Sequence, residues 1–200
     1  MHLVGHDWGA IISWYYILKP ERLKKIKSLT TISCPNPSVA RENLVEAFSS
    51  FDISNIGQAM GQVSKSWYAI FFQIPFMPEF VLDNFGEAVW KYAMSRAELP
   101  ENDPMLTYGP EKIRKISKNT INLYRQLAIE LPSSIPEKKI SIPVQMIIPK
   151  QDLAIEPFIY DNTEKHVEKL TVSKLDGNHW IHRQHPQKVN KLIKEFISSD

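Results

Sequence analysis

Asp7 stands at the centre of Gly5-His6-Asp7-Trp8-Gly9. This is the G-x-nucleophile-x-G pattern of a strand-to-helix elbow, with Asp where Ser is more usual. Such an elbow presents its central side chain at the carboxyl end of a strand, beside helix amides that favour an anion. A carboxylate held there can attack carbon and form an ester. Two further residues could complete the chemistry: Asp152 in Pro149-Lys150-Gln151-Asp152, and His179 in Asp176-Gly177-Asn178-His179. A His oriented by a second carboxylate can take a proton from water and hydrolyse that ester. Each residue also has a plainer reading. Asp7 fits the N-cap of an ordinary turn, Asp152 a loop turn, and His179 a surface position. Their succession, nucleophile then acid then His, each following a strand, carries the catalytic reading.

The elements that must position these residues can be read from pattern. Strands are expected at Met1–Val4, 26–33, 142–148 and 170–175, adjacent in that order in a parallel sheet, so the class is α/β. The run Ile142-Pro143-Val144-Gln145-Met146-Ile147-Ile148 suits a strand buried on both faces. Residues 9–19 are apolar almost all round, which predicts a buried helix stopped near Lys19-Pro20. The glycines of the elbow are expected to let strand and helix approach closely. A helix is expected within 155–168. Another covers 185–198, with Val189, Leu192, Ile193 and Phe196 on one side. Between Ser38 and Ser133 the texture is helical and aromatic, including one long helix over 111–131. This block interrupts the alternation of strands and helices.

Composition bounds the partners. Net charge is +2 and the charged fraction 23%, so neither nucleic acid nor an anionic membrane surface is implied. The apolar region from Trp67 to Leu82 is broken by Gln73, Pro75, Pro78 and Glu79, which argues against a membrane span. The single cysteine, Cys34, fits a buried thiol in a reducing, cytoplasmic compartment. No leader is visible before the first strand. His6 is expected to support the elbow by a hydrogen bond. His179, His182 and His185 are spaced by three, but a structural use is favoured over a metal site.

With these residues in view, the sequence resembles the epoxide hydrolase branch of the α/β-hydrolase fold, over all 200 residues. The resemblance rests on Val4-Gly5-His6-Asp7-Trp8-Gly9-Ala10, Trp67-Tyr68-Ala69-Ile70-Phe71-Phe72-Gln73, Asn122-Leu123-Tyr124-Arg125, Lys150-Gln151-Asp152 and Gly177-Asn178-His179-Trp180. It implies an α/β-hydrolase core over 1–37 and 138–200, with the block 38–137 as a helical cap. It also implies Asp7 as nucleophile, Asp152 as charge-relay acid, His179 as base, and Tyr68 and Tyr124 as cap donors to the epoxide oxygen. Trp8 would supply an oxyanion amide, and Trp67 and Phe72 substrate contacts. A small apolar epoxide and water would then give a vicinal diol, without cofactor or metal. A haloalkane dehalogenase shares the Asp nucleophile but needs halide donors rather than a phenol pair. The His-Gly-x-Pro-like oxyanion segment that precedes the elbow in this family has no counterpart here. The chain therefore reads as the C-terminal portion of a longer enzyme, from the elbow onward. An inactive remnant stays open, and the isolated chain is expected to be poorly soluble and weakly active.

Overall fold

The structure, a computed structural model, describes residues 1–130 and 139–199. Leu131, the expected end of the long helix, and the expected boundary at 137/138 lie outside these residues. The described residues form two compact units, one of residues 1–62 with 139–199 and one of residues 63–130.

The first unit is built on four parallel strands in the order β1 (His2–His6), β2 (Ser28–Ile32), β3 (Val144–Pro149) and β4 (Leu170–Leu175). This is the expected order. The side-chain period of two divides β3 between the faces of the sheet. Val144, Met146 and Ile148 join Trp14, Ile17, Ile26 and Leu29 in one core. Ile147 and Ile32 join Ile181 and Val189 in the other. The first core lies under α1 (Trp8–Ile17), and the second under α8 (Ile181–Gln184) and α9 (Pro186–Ser198). One polar link crosses the second face. Thr30 donates to Gln145 Oε1 at 3.1 Å, and Gln145 Nε2 donates to the Leu192 carbonyl at 3.1 Å. Burying these side chains is tolerable because they are bonded.

Two expectations are corrected. The helix α1 is not buried all round: Ala10, Ser13, Trp14 and Ile17 are buried, but Ile12 is 54% exposed. It lies at the β1 end of the sheet, where β1 pairs with β2 alone among the described residues and Val4 is 49% exposed. The segment 155–168 forms two short 3₁₀ turns, Pro157–Tyr160 and Thr163–Lys165, rather than a helix. Pro157 suits the start of a turn, and Asn162 at φ 63° breaks the chain direction between the two. The two turns leave a cavity of about 650 Å³ along β3 and β4, lined by Met146, Tyr160, Val172 and Lys174 among others.

Two further helices, α2 (Pro20–Leu23) and α3 (Pro37–Ser49), also belong to the first unit, as does most of α4 (Ile53–Lys65). The division thus falls later than the 37/38 boundary of the sequence reading. Polar clasps account for this. Asn43 of α3 donates to the carbonyls of Phe158, Ile159 and Asp161, and Gln62 of α4 bonds to Ala154 and Glu156. The second unit contains α5 (Trp67–Phe71), α6 (Met77–Arg96) and α7 (Pro110–Glu130), with α6 packed on α7. Among the described residues no helix is long and apolar enough to cross a membrane.

Candidate active site

Because the four strands are parallel, the loops after β1, β3 and β4 leave from the same edge of the sheet, where open α/β sheets place their sites. The first holds Asp7. It sits at φ 51°, ψ −121°, a conformation that a non-glycine residue keeps only when its surroundings impose it. The Asp7 amide donates to the Ile32 carbonyl, and the Asp7 carbonyl accepts from Ala10 and Ile11. The turn is therefore held from both β2 and α1. Asp7 makes no side-chain cap bond to α1, so its carboxylate is not used as an N-cap. Gly5 explains the tightness, since a Cβ there would stand 2.5 Å from the Gly9 carbonyl oxygen. Gly9 does not, since nothing lies within 4 Å of a Cβ built on it. Only the first of the two elbow glycines is sterically required.

Main-chain bonds lace the acid and base loops together. The Lys150 amide donates to the Leu175 carbonyl, the Gln151 amide to the Gly177 carbonyl, and the Gly177 amide to Gln151 Oε1. Gly177, at φ 141°, holds a conformation that side-chain-bearing residues rarely adopt, and a Cβ there would lie 2.2 Å from Ile181 Cδ1. These bonds bring His179 to Asp152. His179 Nδ1 donates to the Asp152 carboxylate at 3.0 and 3.2 Å. Its Nε2 lies 3.6 Å from Asp7 Oδ1. The side chain of Asp152 is 2% exposed, that of His179 15% and that of Asp7 37%, so the pair is sheltered and the Asp7 carboxylate is open to approach. Asp152 Oδ1 also accepts from the amides of Ala154 and Ile155.

The charges follow from this geometry. Burial alone would lower the His179 pKa, but the carboxylates of Asp152 and Asp7 outweigh it and hold it up to about 10. Burial opposes ionisation of Asp7, yet the His179 hydrogen bond and charge bring its pKa below the usual carboxylate range, with the Trp8 amide adding to the effect. Because it faces two carboxylates at once, His179 favours the protonated imidazolium form. His6 behaves oppositely: burial and the His179 charge push its pKa down to about 4. Its neutral ring donates from Nε2 to the His179 carbonyl at 2.9 Å, which ties the base loop to the elbow strand. His182 lies against the His6 ring, 4.1 Å between centroids, so its spacing from His179 serves packing. Cys34 is a buried free thiol.

In the second unit, Tyr68 of α5 and Tyr124 of α7 meet edge to face, 5.5 Å between ring centroids. Phe72 packs on Tyr124 at 5.0 Å, and Trp67 on Tyr68 at 6.4 Å. Arg125, next to Tyr124, donates to the carbonyls of Phe72 and Ile74 and to both oxygens of Glu79. Glu79 therefore has a lowered pKa. This clamp, with Gln62 and Gln151 in the first unit, was not assigned a role from sequence. Its only trace there is an Arg beside a motif tyrosine.

No protein-family model matches the chain. It is 27% identical to human epoxide hydrolase 4 over 99% of its own length and 53% of that protein. It is 23% identical to epoxide hydrolase 3 of Xenopus tropicalis, with the same coverages. The chain thus spans about half the length of these curated relatives. Among solved structures, an epoxide hydrolase of Bacillus megaterium superposes with a TM-score of 0.69 at 24% identity, over 98% of this chain and 68% of that one. A potato epoxide hydrolase variant gives 0.69 at 20% identity. The chain has the α/β-hydrolase fold, with the sheet from the elbow strand onward and an added helical unit, and its relatives by sequence include epoxide hydrolases.

Proposed function

We propose that this chain carries the nucleophile, acid and base of an epoxide hydrolase, and that the helical block serves as its cap. The observation that carries the reading is His179 held between Asp152 at 3.0 Å and the open carboxylate of Asp7 at 3.6 Å. Asp7 attacks an epoxide carbon, the carbon–oxygen bond breaks, and an ester forms on Asp7. The departing oxygen takes a proton from a phenol of Tyr68 or Tyr124, whose adjacent rings in the cap unit support a paired donor. Trp67 and Phe72, packed on these tyrosines, supply apolar contact for the substrate.

Esterification then removes the charge of Asp7. One of the two carboxylates that hold the proton on His179 is lost, the imidazole's proton affinity falls, and the proton leaves to solvent. The neutral ring, still oriented by Asp152, takes a proton from water as the water attacks the ester carbonyl. The Trp8 amide is assigned to the negative charge that develops there, a role supported by its hydrogen bond to the Asp7 carboxylate. The intermediate then collapses: the expelled alkoxide takes the proton of the acid formed on Asp7, and solvent returns a proton to the phenolate, which leaves a vicinal diol and free ionised Asp7, with no metal or cofactor in the scheme. The phenol pair favours this reading over halide release. A cytoplasmic setting belongs to the same reading and is supported by the free thiol of Cys34.

The test is capture of the ester. Ring opening needs no oxyanion hole, so the 200-residue chain with His179→Gln should gain the mass of one styrene oxide, located on Asp7 by peptide mapping. No adduct, or an adduct elsewhere, would overturn the scheme.

A further inference from the structure

The Gln62 side chain is 5% exposed and meets the acid loop with both ends of its amide. Nε2 donates to the Ala154 carbonyl at 2.9 Å, and Oε1 accepts from the Glu156 amide at 2.7 Å. It thus pairs with two main-chain groups two residues apart, as a neighbouring strand would. From the opposite side, Asp152 Oδ1 accepts from the Ala154 and Ile155 amides at 2.7 and 3.1 Å. Ala154 is bonded through its N–H to Asp152 and through its C=O to Gln62. The approach of α4 is close, since a Cβ on Gly61 would lie 3.2 Å from Glu156 Oε1.

A carboxylate fixed by two amides keeps its orientation only while those amides stay in place. The Oδ1 that these amides hold lies 3.2 Å from His179 Nδ1, and the other oxygen of the same carboxylate, Oδ2, lies 3.0 Å from it. We propose that Gln62 is a positioning residue for the base: it holds the Ala154–Glu156 turn, which in turn aims Asp152 at His179. Both of these Gln62 bonds are to the acid loop, so their effect on the base passes through Asp152. Its consequence for turnover rests on the hydrolase reading; the contact with the acid loop does not.

The test reads the imidazole directly and needs no substrate, so it can fail while the hydrolase reading stands, and the reverse. The groups facing His179 are the carboxylates of Asp152 and Asp7 and the ring of His6, with His182 behind it. The His179 titration is followed by NMR of the 200-residue chain carrying ¹³C-labelled histidine. Gln62→Leu removes both bonds at similar volume and should weaken proton binding at His179 about fivefold, the worth of one hydrogen bond. Gln62→Asn keeps an amide but is one methylene short, and should move the titration in the same direction by less. Combined with Asp152→Asn, Gln62→Leu should add nothing further. Three outcomes would overturn the proposal. They are folded variants that titrate like the parent, an equal shift in the Asp152→Asn background, and loss of the fold in both variants, which would leave Gln62 a purely structural role.

Discussion

Replacing Asp7 by Asn leaves the shape of the elbow and removes one charge, as esterification would. The effect on His179 can be worked from the distance. At 3.6 Å and an effective dielectric of about 20, a unit charge pair interacts by about 4 to 5 kcal/mol. That corresponds to a pKa difference of about three. The Asp7 side chain is 37% exposed, so solvent screens part of this, and a lowering of about two is expected. The His179 pKa, held up to about 10 in the parent, would then come down toward neutrality, where the imidazole can act as a base. Titration of ¹³C-labelled His179 by NMR in the parent and in Asp7→Asn measures both values. A parent pKa near the ordinary 6.5, or a variant that titrates like the parent, would refute the argument that loss of the nucleophile's charge readies the base.

Three other outcomes are expected. Because the folded-state pKa of His179 is raised, its contribution to stability is fully present below 6.5 and is lost as pH rises through about 10. Denaturant unfolding should therefore show the parent losing up to about 5 kcal/mol over that window relative to His179→Gln, and parallel curves would contradict it. Gly5→Ala should cost about 3 kcal/mol or more, because its methyl would meet main-chain atoms that cannot move aside. Gly9→Ala should be neutral or stabilising by up to about 1 kcal/mol, and equal costs at both positions would show the elbow packing to be misread. Replacing Tyr68 and Tyr124 together by Phe should slow adduct formation from styrene oxide by a factor of about 10² to 10³ or more, and an unchanged rate would remove the phenols from the scheme.

The sequence by itself determined the order of the strands and singled out Asp7, Asp152 and His179, which the structure brings together. Val144, Met146 and Ile148 alternate with Gln145 and Ile147, and a strand apolar on both faces must be covered on both. A Gly-x-Asp-x-Gly elbow, an acid loop and a Gly-Asn-His loop are local signals, since each depends on turn chemistry within a few residues. A helix was expected within 155–168, but Pro157 and Asn162 cut the segment into turns. The apolar run of α1 was read as burial all round, but apolar type does not tell which neighbours a helix has, and Ile12 faces outward.

Only the tertiary structure decided the electrostatic surroundings of His179, which of the elbow glycines is required, and which side chains hold the loops. His179 is 172 residues from Asp7 and 27 from Asp152 along the chain. Its pKa depends on distances of 3.6 and 3.0 Å that exist only once the sheet is assembled. Gln62, Asn43, Gln151 and Arg125 are polar residues of kinds that usually face solvent, with no local pattern to mark them. Each acquires its role from main-chain groups brought to it by the fold. Hydrogen bonds and Coulomb interactions act over a few ångströms in space, whereas turn and strand signals act over a few residues in sequence, and that difference in range separates what could be read from what had to be seen.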